Sequence, residues 1–311
     1  MQQLSLFTPN TTTLPITVIS GCDLTSSWRR LLADLSCRPP TPQRAFVFDH
    51  KSWRQQTGHQ PLDLGNLIPE MLSSLFIASE LGELKSVLDM AKGGSAPDIT
   101  ISCLPLDSDV KDVVSNSKRF RHALSEHLAF WVQLAHVAKS NSSHFACSRP
   151  NLQPEDKGPD GVFVHLGGKN RVEVQSVKSS TRDPSSLISS SSFRSGKKVD
   201  RKKLLDGFWL QAYQNLGLTR LQNALSDACN LLSLSPEDRV RIGLTLDACS
   251  YNAVVIADDN YADITLFDGY ERITTDATRC IATYIGSTKW TDVAEATRQC
   301  AINTLKCAGA W

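Results

Sequence analysis

Hydrophobic and polar positions change period several times along this chain, and each change predicts an element. In Asp160–Lys178, Val162 and Val164 alternate with polar residues, as do Val172, Val174 and Val177, interrupted only at Ser176. Gly167-Gly168-Lys169-Asn170 lies between the two runs and supplies the positive φ values a hairpin turn needs. The spacing therefore predicts two strands joined by a tight turn. Upstream, Leu14–Ser20, Ala45–Asp49 and Asp98–Leu104 read as strands. A helix is expected around Ser26–Leu35, with Asp23 and Thr25 as candidate caps. Another runs from Ile68 to Lys92, where Leu72, Leu75, Phe76, Leu81, Leu84 and Leu88 recur at helical spacing before Gly93-Gly94.

The longest helical stripe is 109–139, marked by Phe120, Leu124, Leu128, Trp131 and Ala135. A polar loop, 140–158, follows, with room for a short strand near His144–Ser148. Beyond the hairpin the chain reads as helix from about Lys202 to Leu234. Strands are then expected at Arg239–Asp247, Asn252–Asp258 and Ala262–Phe267, with a last amphipathic helix over 290–309. The class is α/β, a mixed sheet flanked by helices. The pattern divides into an N-terminal α/β region, 1–107, in an accessory or partner-binding role, and a second domain, 108–311. A strand entering Gly21 and a helix start is far short of a nucleotide-binding fingerprint.

Composition narrows the setting. Of 311 residues, 41% are hydrophobic, and 33 basic against 32 acidic residues leave a net charge of +1, so any polyanion surface must be local. No apolar run approaches the roughly 20 residues that span a bilayer, and no signal peptide is legible. Nine scattered cysteines without a Cys-x-x-Cys pair point to reduced, packed thiols and a cytoplasmic protein. One stretch does concentrate charge. After the serine-rich run Ser179–Phe193 come Arg194, Lys197, Lys198, Arg201, Lys202 and Lys203, so the loop 179–203 is a candidate nucleic-acid contact. Such a run is also an ordinary solvated helix start.

Candidate chemistry lies on the hairpin. Asp160 heads its first strand and Glu173 sits in the middle of its second; Gln175, two residues on, shares the face of Glu173. Carboxylates on neighbouring strands can hold a hard divalent cation through oxygen. Pro-Asp-Gly is equally a plain turn signature. Taken together, Pro159-Asp160, then Glu173-Val174-Gln175 with Lys178 close behind, resembles the PD-(D/E)xK nuclease superfamily over about residues 118–260. The resemblance implies a restriction-endonuclease-like core and a Mg2+- or Mn2+-dependent phosphodiester hydrolase. DNA is the more expected substrate, in restriction or phage defence, alongside a protein partner such as a helicase.

On that basis Asp160 and Glu173 are expected to bind metal. Glu126 of the preceding helix is a further candidate ligand, or else a solvated helix residue between His122 and His127. Gln175 stands where the family carries lysine. Lys178 is the substitute, but a regular strand turns it to the other face, so a bend or bulge is expected after Gln175. The departure at Gln175 also admits a catalytically inactive module that binds nucleic acid or protein.

Overall fold

The predicted hairpin lies inside a larger sheet. The computed structural model describes residues 17–19, 21–34, 45–49, 67–95, 99–101, 108–139, 144–150, 152, 159–166, 171–184, 217–244, 249–258, 261, 280–287 and 289–311. Among them lie β1 (Thr17–Ile19), α1 (Gly21–Asp34), β2 (Ala45–Asp49), α2 (Leu67–Leu81), α3 (Leu84–Ala91) and β3 (Ile99–Ile101). Next come α4 (Ser108–Ser115), α5 (Ser117–Lys139), β4 (His144–Cys147), β5 (Gly161–Leu166) and β6 (Arg171–Ser179). The last are α6 (Gly217–Leu231), α7 (Pro236–Arg241), β7 (Cys249–Asp258), β8 (Cys280–Ser287) and α8 (Trp290–Cys307).

Six strands form one mixed sheet in the order β2-β8-β7-β6-β5-β4, and β1 pairs with β3 alone. β4, β5 and β6 are antiparallel neighbours, whereas β6, β7, β8 and β2 run parallel. A parallel neighbour needs a crossover, and the segment carrying α6 and α7 supplies it between β6 and β7. The N-terminal region contributes to this same sheet through β2, in register from Ala45↔Ala282 to Asp49↔Gly286. It also shares the core. Trp28 of α1 packs on Trp131 of α5, with ring centroids 5.7 Å apart, and Phe76 of α2 packs on Phe120 at 5.0 Å. The Trp131 indole donates to the Leu75 carbonyl at 3.1 Å, so its one polar atom is satisfied in the core.

Three expected elements differ. The helix over Ile68–Lys92 is two, because Glu83 takes an extended backbone (φ −70°, ψ 122°) and starts α3 afresh. The long helix over 109–139 is also two. Asn116 closes α4 through its N–H to the Asp112 carbonyl (3.2 Å) and caps α5 by accepting from the Arg119 N–H at 3.0 Å. The expected strand at Arg239–Asp247 opens instead as the end of α7. There Ser235 Oγ accepts from the Asp238 N–H at 3.1 Å, proline follows the cap, and acids occupy the first turn. Gly243, at φ 73°, stops the helix, and its N–H bonds the Val240 carbonyl. This capping outweighed the apolar alternation. The expected strand at 262–267, the basic loop with Arg194, Lys197, Lys198, Arg201, Lys202 and Lys203, and the helix start at 202–216 lie outside the described residues.

No helix among the described residues is long and apolar enough to cross a membrane. Cys147, Cys229, Cys300 and Cys307 carry free thiols, the first two buried.

The corner between α4 and α5 is fastened to α8. Glu295 accepts from Ser117 Oγ (2.9 Å), from Arg298 Nε and Nη2 (2.9 and 2.6 Å) and from Gln299 (2.9 Å), while Arg298 Nη1 donates to the Val114 carbonyl. The Arg298 hydrogen bonds, with Gln299 and Ser117, hold the Glu295 carboxyl down at about 2 despite partial burial. Its contribution to stability is therefore complete above the ordinary glutamate value of 4.5 and fades as pH falls toward about 2. The side chain is 40% exposed, so solvent screening limits the effect. Glu295→Gln should lower unfolding free energy by about 1 kcal/mol or less at pH 7, and by less still at pH 3, read from urea melts.

Candidate functional site

A difference in strand length creates the site. β5 pairs with β6 from Gly161↔Gln175 to His165↔Arg171, so its last partner on β6 is Gln175. β6 runs on beside β7 without interruption to Ser179↔Ile256. Among the described residues no strand pairs with the edge of β6 beyond Gln175, and Asp160 takes that place. Its N–H donates to the Gln175 carbonyl at 3.0 Å, and its Oδ2 accepts the Val177 N–H at 2.5 Å. Gly161 lies close against β6: a Cβ there would meet the Gln175 side-chain oxygen at 3.1 Å, and that side chain would have to give by a few tenths of an ångström.

The first half of α5 covers this open edge and encloses a cavity of about 480 Å³. Glu126, Asp160 and Lys178 line it, together with Lys118, Arg119 and His122. Glu126, expected at the surface as one alternative, is buried. Lys178 arrives without the expected bulge. The β6–β7 register is regular through residue 179, so Lys178 stands by ordinary alternation on the face away from Glu173 and Gln175, and it lines the cavity together with Asp160. His127 does not join it. Its Nε2 lies 2.5 Å from Glu80 Oε1 and its Nδ1 2.7 Å from the Ala123 carbonyl.

Glu173 and Gln175 lie elsewhere. Glu173 opposes Phe163, three residues beyond Asp160, or roughly 10 Å along the strand at its usual rise. Neither side chain lines the cavity. Glu173 is fully buried and already engaged. Its Oε1 accepts from Asn252 at 3.0 Å, and Asn252 Oδ1 in turn accepts from Thr283 at 3.0 Å. Its Oε2 faces His165 Nε2 at 3.6 Å and Arg171 at 3.8 Å, distances of charge attraction rather than hydrogen bonding. Gln175 is buried, and its Nε2 has no hydrogen-bond partner among the described residues. So the acid that lines the same cavity as Asp160 is Glu126, and Glu173 belongs to a polar chain crossing β5, β6, β7 and β8.

Electrostatics separate the two acids of the hairpin. Burial pushes the Asp160 carboxyl above its usual range, opposed by the Lys178 charge and the Val177 N–H. Burial pushes Glu173 the same way, but His165, Arg171 and Asn252 together outweigh it and hold that carboxyl below its usual range. His122 is held low, first by burial and then by the charges of Arg121, Lys118 and Lys178.

Two carboxylates in one cavity suit a hydrated Mg2+ or Mn2+, which needs only one or two protein carboxylates and keeps several waters. No group of three or more His, Cys, Asp or Glu side chains among the described residues is arranged to hold a metal, as zinc would require. Sequence reasoning missed Lys118 and Arg119. The available signal was a helix start reading Lys118-Arg119, then His122 and Glu126 one turn apart. No protein-family model, curated protein or solved structure matches the chain.

The two acids should fail differently. Glu173→Ala strands His165, Arg171 and Asn252 without their shared partner and should cost about 3 kcal/mol of unfolding free energy. Because the folded carboxyl lies below the ordinary 4.5, its contribution is present above that value and is lost as pH falls through the folded one. The stability gap between wild type and Glu173→Gln should therefore narrow below about pH 4.5, measured by urea unfolding across pH.

Proposed function

We propose that this chain hydrolyses phosphodiester bonds, as a nuclease, in the cavity formed by Glu126, Asp160 and Lys178. One observation carries the reading: two acids and a lysine from α5, the head of β5 and the end of β6 converge on one partly enclosed space. The resemblance to the PD-(D/E)xK superfamily supports it through Asp160 and Lys178, with Glu126 as the helix acid and without Glu173 or Gln175, which do not line the cavity. A restriction-endonuclease-like core and DNA as substrate follow from that resemblance.

Glu126 and Asp160 would hold Mg2+ or Mn2+, which supplies charge to a phosphoryl oxygen and lowers the pKa of water. The chain's own groups do the rest. The Val177 N–H fixes the Asp160 carboxylate through Oδ2. Lys178 puts a positive charge beside Asp160, where it can orient a water and steady the anionic phosphate. Glu126 is buried and Asp160 half-buried beneath α5, and the reduced exposure to water strengthens electrostatic attraction there.

A second reading, an inactive module that binds nucleic acid, draws on the absence of Glu173 and Gln175 from the cavity. Cleavage of plasmid and oligonucleotide DNA in Mg2+ or Mn2+ decides between them. Asp160→Asn, Glu126→Gln and Lys178→Ala should each reduce the rate by about 10²-fold or more, with folding intact by circular dichroism. Glu173→Gln should change stability and leave the folded fraction cutting. Binding without metal-dependent cleavage in the wild type would establish the inactive module.

A further inference from the structure

Hydrolysis in this cavity leaves one proton without an acceptor. An attacking water sheds a proton as its oxygen bonds to phosphorus, and a positioned side chain takes it most effectively. Lys118, Arg119 and Lys178 line the cavity, but an ammonium or a guanidinium is a donor with no lone pair to offer. Glu126 and Asp160 have lone pairs, and under the hydrolase reading they hold the divalent ion. Ser125 Oγ already donates to the Arg121 carbonyl at 2.7 Å, and Asn116 Oδ1 accepts the Arg119 N–H at 3.0 Å. A hydroxyl or an amide is in any case no base near neutral pH.

His122 is the lining group that remains. It stands one turn before Glu126 on α5, roughly 6 Å along the helix axis, and i, i+4 residues share a helix face. From that position it lines the same cavity as Asp160 and Lys178 of the sheet. The side chain is half-buried. Burial holds its imidazole below the usual histidine range, and the charges of Arg121, Lys118 and Lys178 push the same way. The ring is therefore neutral at pH 7, with one nitrogen free to accept a proton.

We propose that His122 is the proton acceptor of this cavity, taking a proton from the water that attacks phosphorus. The inference rests on the hydrolase reading and supplies the base that reading lacks. The imidazole takes one O–H proton while the water oxygen forms its bond to phosphorus. The ester P–O bond breaks, its electron pair stays on the leaving oxygen, and solvent protonates that oxygen. The imidazolium then returns its proton to solvent, so water and diester become monoester and alcohol. The rate should fall as pH drops through the protonation of His122, which lies below the ordinary 6.5. Around that ring the charged groups are Lys118, Arg119, Arg121 and Glu126 of α5, Asp160 at the head of β5 and Lys178 of β6.

The test follows cleavage of oligonucleotide DNA in Mg2+ across pH for the full chain, His122→Gln and Arg121→Gln, alongside NMR titration of the His122 ring in EDTA. His122→Gln should retain its circular dichroism and lose about 10²-fold or more of the rate at pH 7. Arg121→Gln removes a charge felt by the ring without removing a group that lines the cavity. It should carry both the ring titration and the acid limb of the rate to higher pH. The loss in His122→Gln should persist on thymidine 5′-(4-nitrophenyl) phosphate, whose leaving group needs no proton. Full activity in His122→Gln, or recovery on the nitrophenyl ester, would overturn the assignment and leave the hydrolase standing. So would an acid limb that stays in place while the ring titration moves in Arg121→Gln, and this comparison decides alone if His122→Gln does not fold. Absence of metal-dependent cleavage in the wild type would remove the hydrolase and its base together.

Discussion

The hydrogen bond from the Val177 N–H to the Asp160 carboxylate closes an edge that β5 leaves open. Backbone donors inside a covered sheet must find acceptors, and β6 extends four residues beyond its last pairing with β5. Asp160 meets that demand with a side chain in place of another strand. Three consequences follow. A carboxyl is held at the mouth of the hairpin, Lys178 follows the regular alternation of β6 onto the face away from Glu173 and Gln175, and a space remains for α5 to roof over. The cavity is what remains when two paired strands differ in length.

The buried acid of the hairpin illustrates a different use of charge. Glu173 joins His165, Arg171, Asn252 and Thr283 into a chain of polar contacts spanning four strands. Burying a carboxylate is unfavourable unless its oxygens are compensated, and here the compensation exceeds the penalty. Such a chain fixes which residues oppose one another, since a one-residue slip of β6 would carry Glu173 to the other face and away from every partner. That register is also what holds Asp160 opposite the free edge. Glu173 thus supports the site by setting the frame in which Asp160 stands.

Asn116 has a comparable influence from the helical side. By ending α4 and capping α5, it sets where the basic first turns of α5 begin. The Glu295–Arg298 cluster then ties that corner to α8. α8 itself is anchored to the sheet, because the Asp258 carboxylate at the end of β7 accepts the Trp290 N–H at 2.6 Å. The start of α5, the helix that carries Glu126, is therefore tied through α8 to the sheet that carries Asp160.

Much of the secondary structure was legible because it follows from local period. Val162, Val164, Val172 and Val174 announced the hairpin, and the stripe through Phe120, Leu124, Leu128 and Trp131 announced α5. Where local signals competed, pattern alone misled: Ser235-Pro236 and Gly243 made a helix end out of residues that alternate like a strand. The individual site residues Asp160, Lys178 and Glu126 were also visible as residue types. Their grouping was not. Which acid shares a cavity with Asp160 depends on where β5 stops along β6 and how α5 lies across that gap, and both are set by pairing between segments distant in the chain. Periodicity assigns a side chain to a face of its own strand; it does not specify what stands opposite, so only the assembled sheet and helix put Glu126, and not Glu173, in one cavity with Asp160.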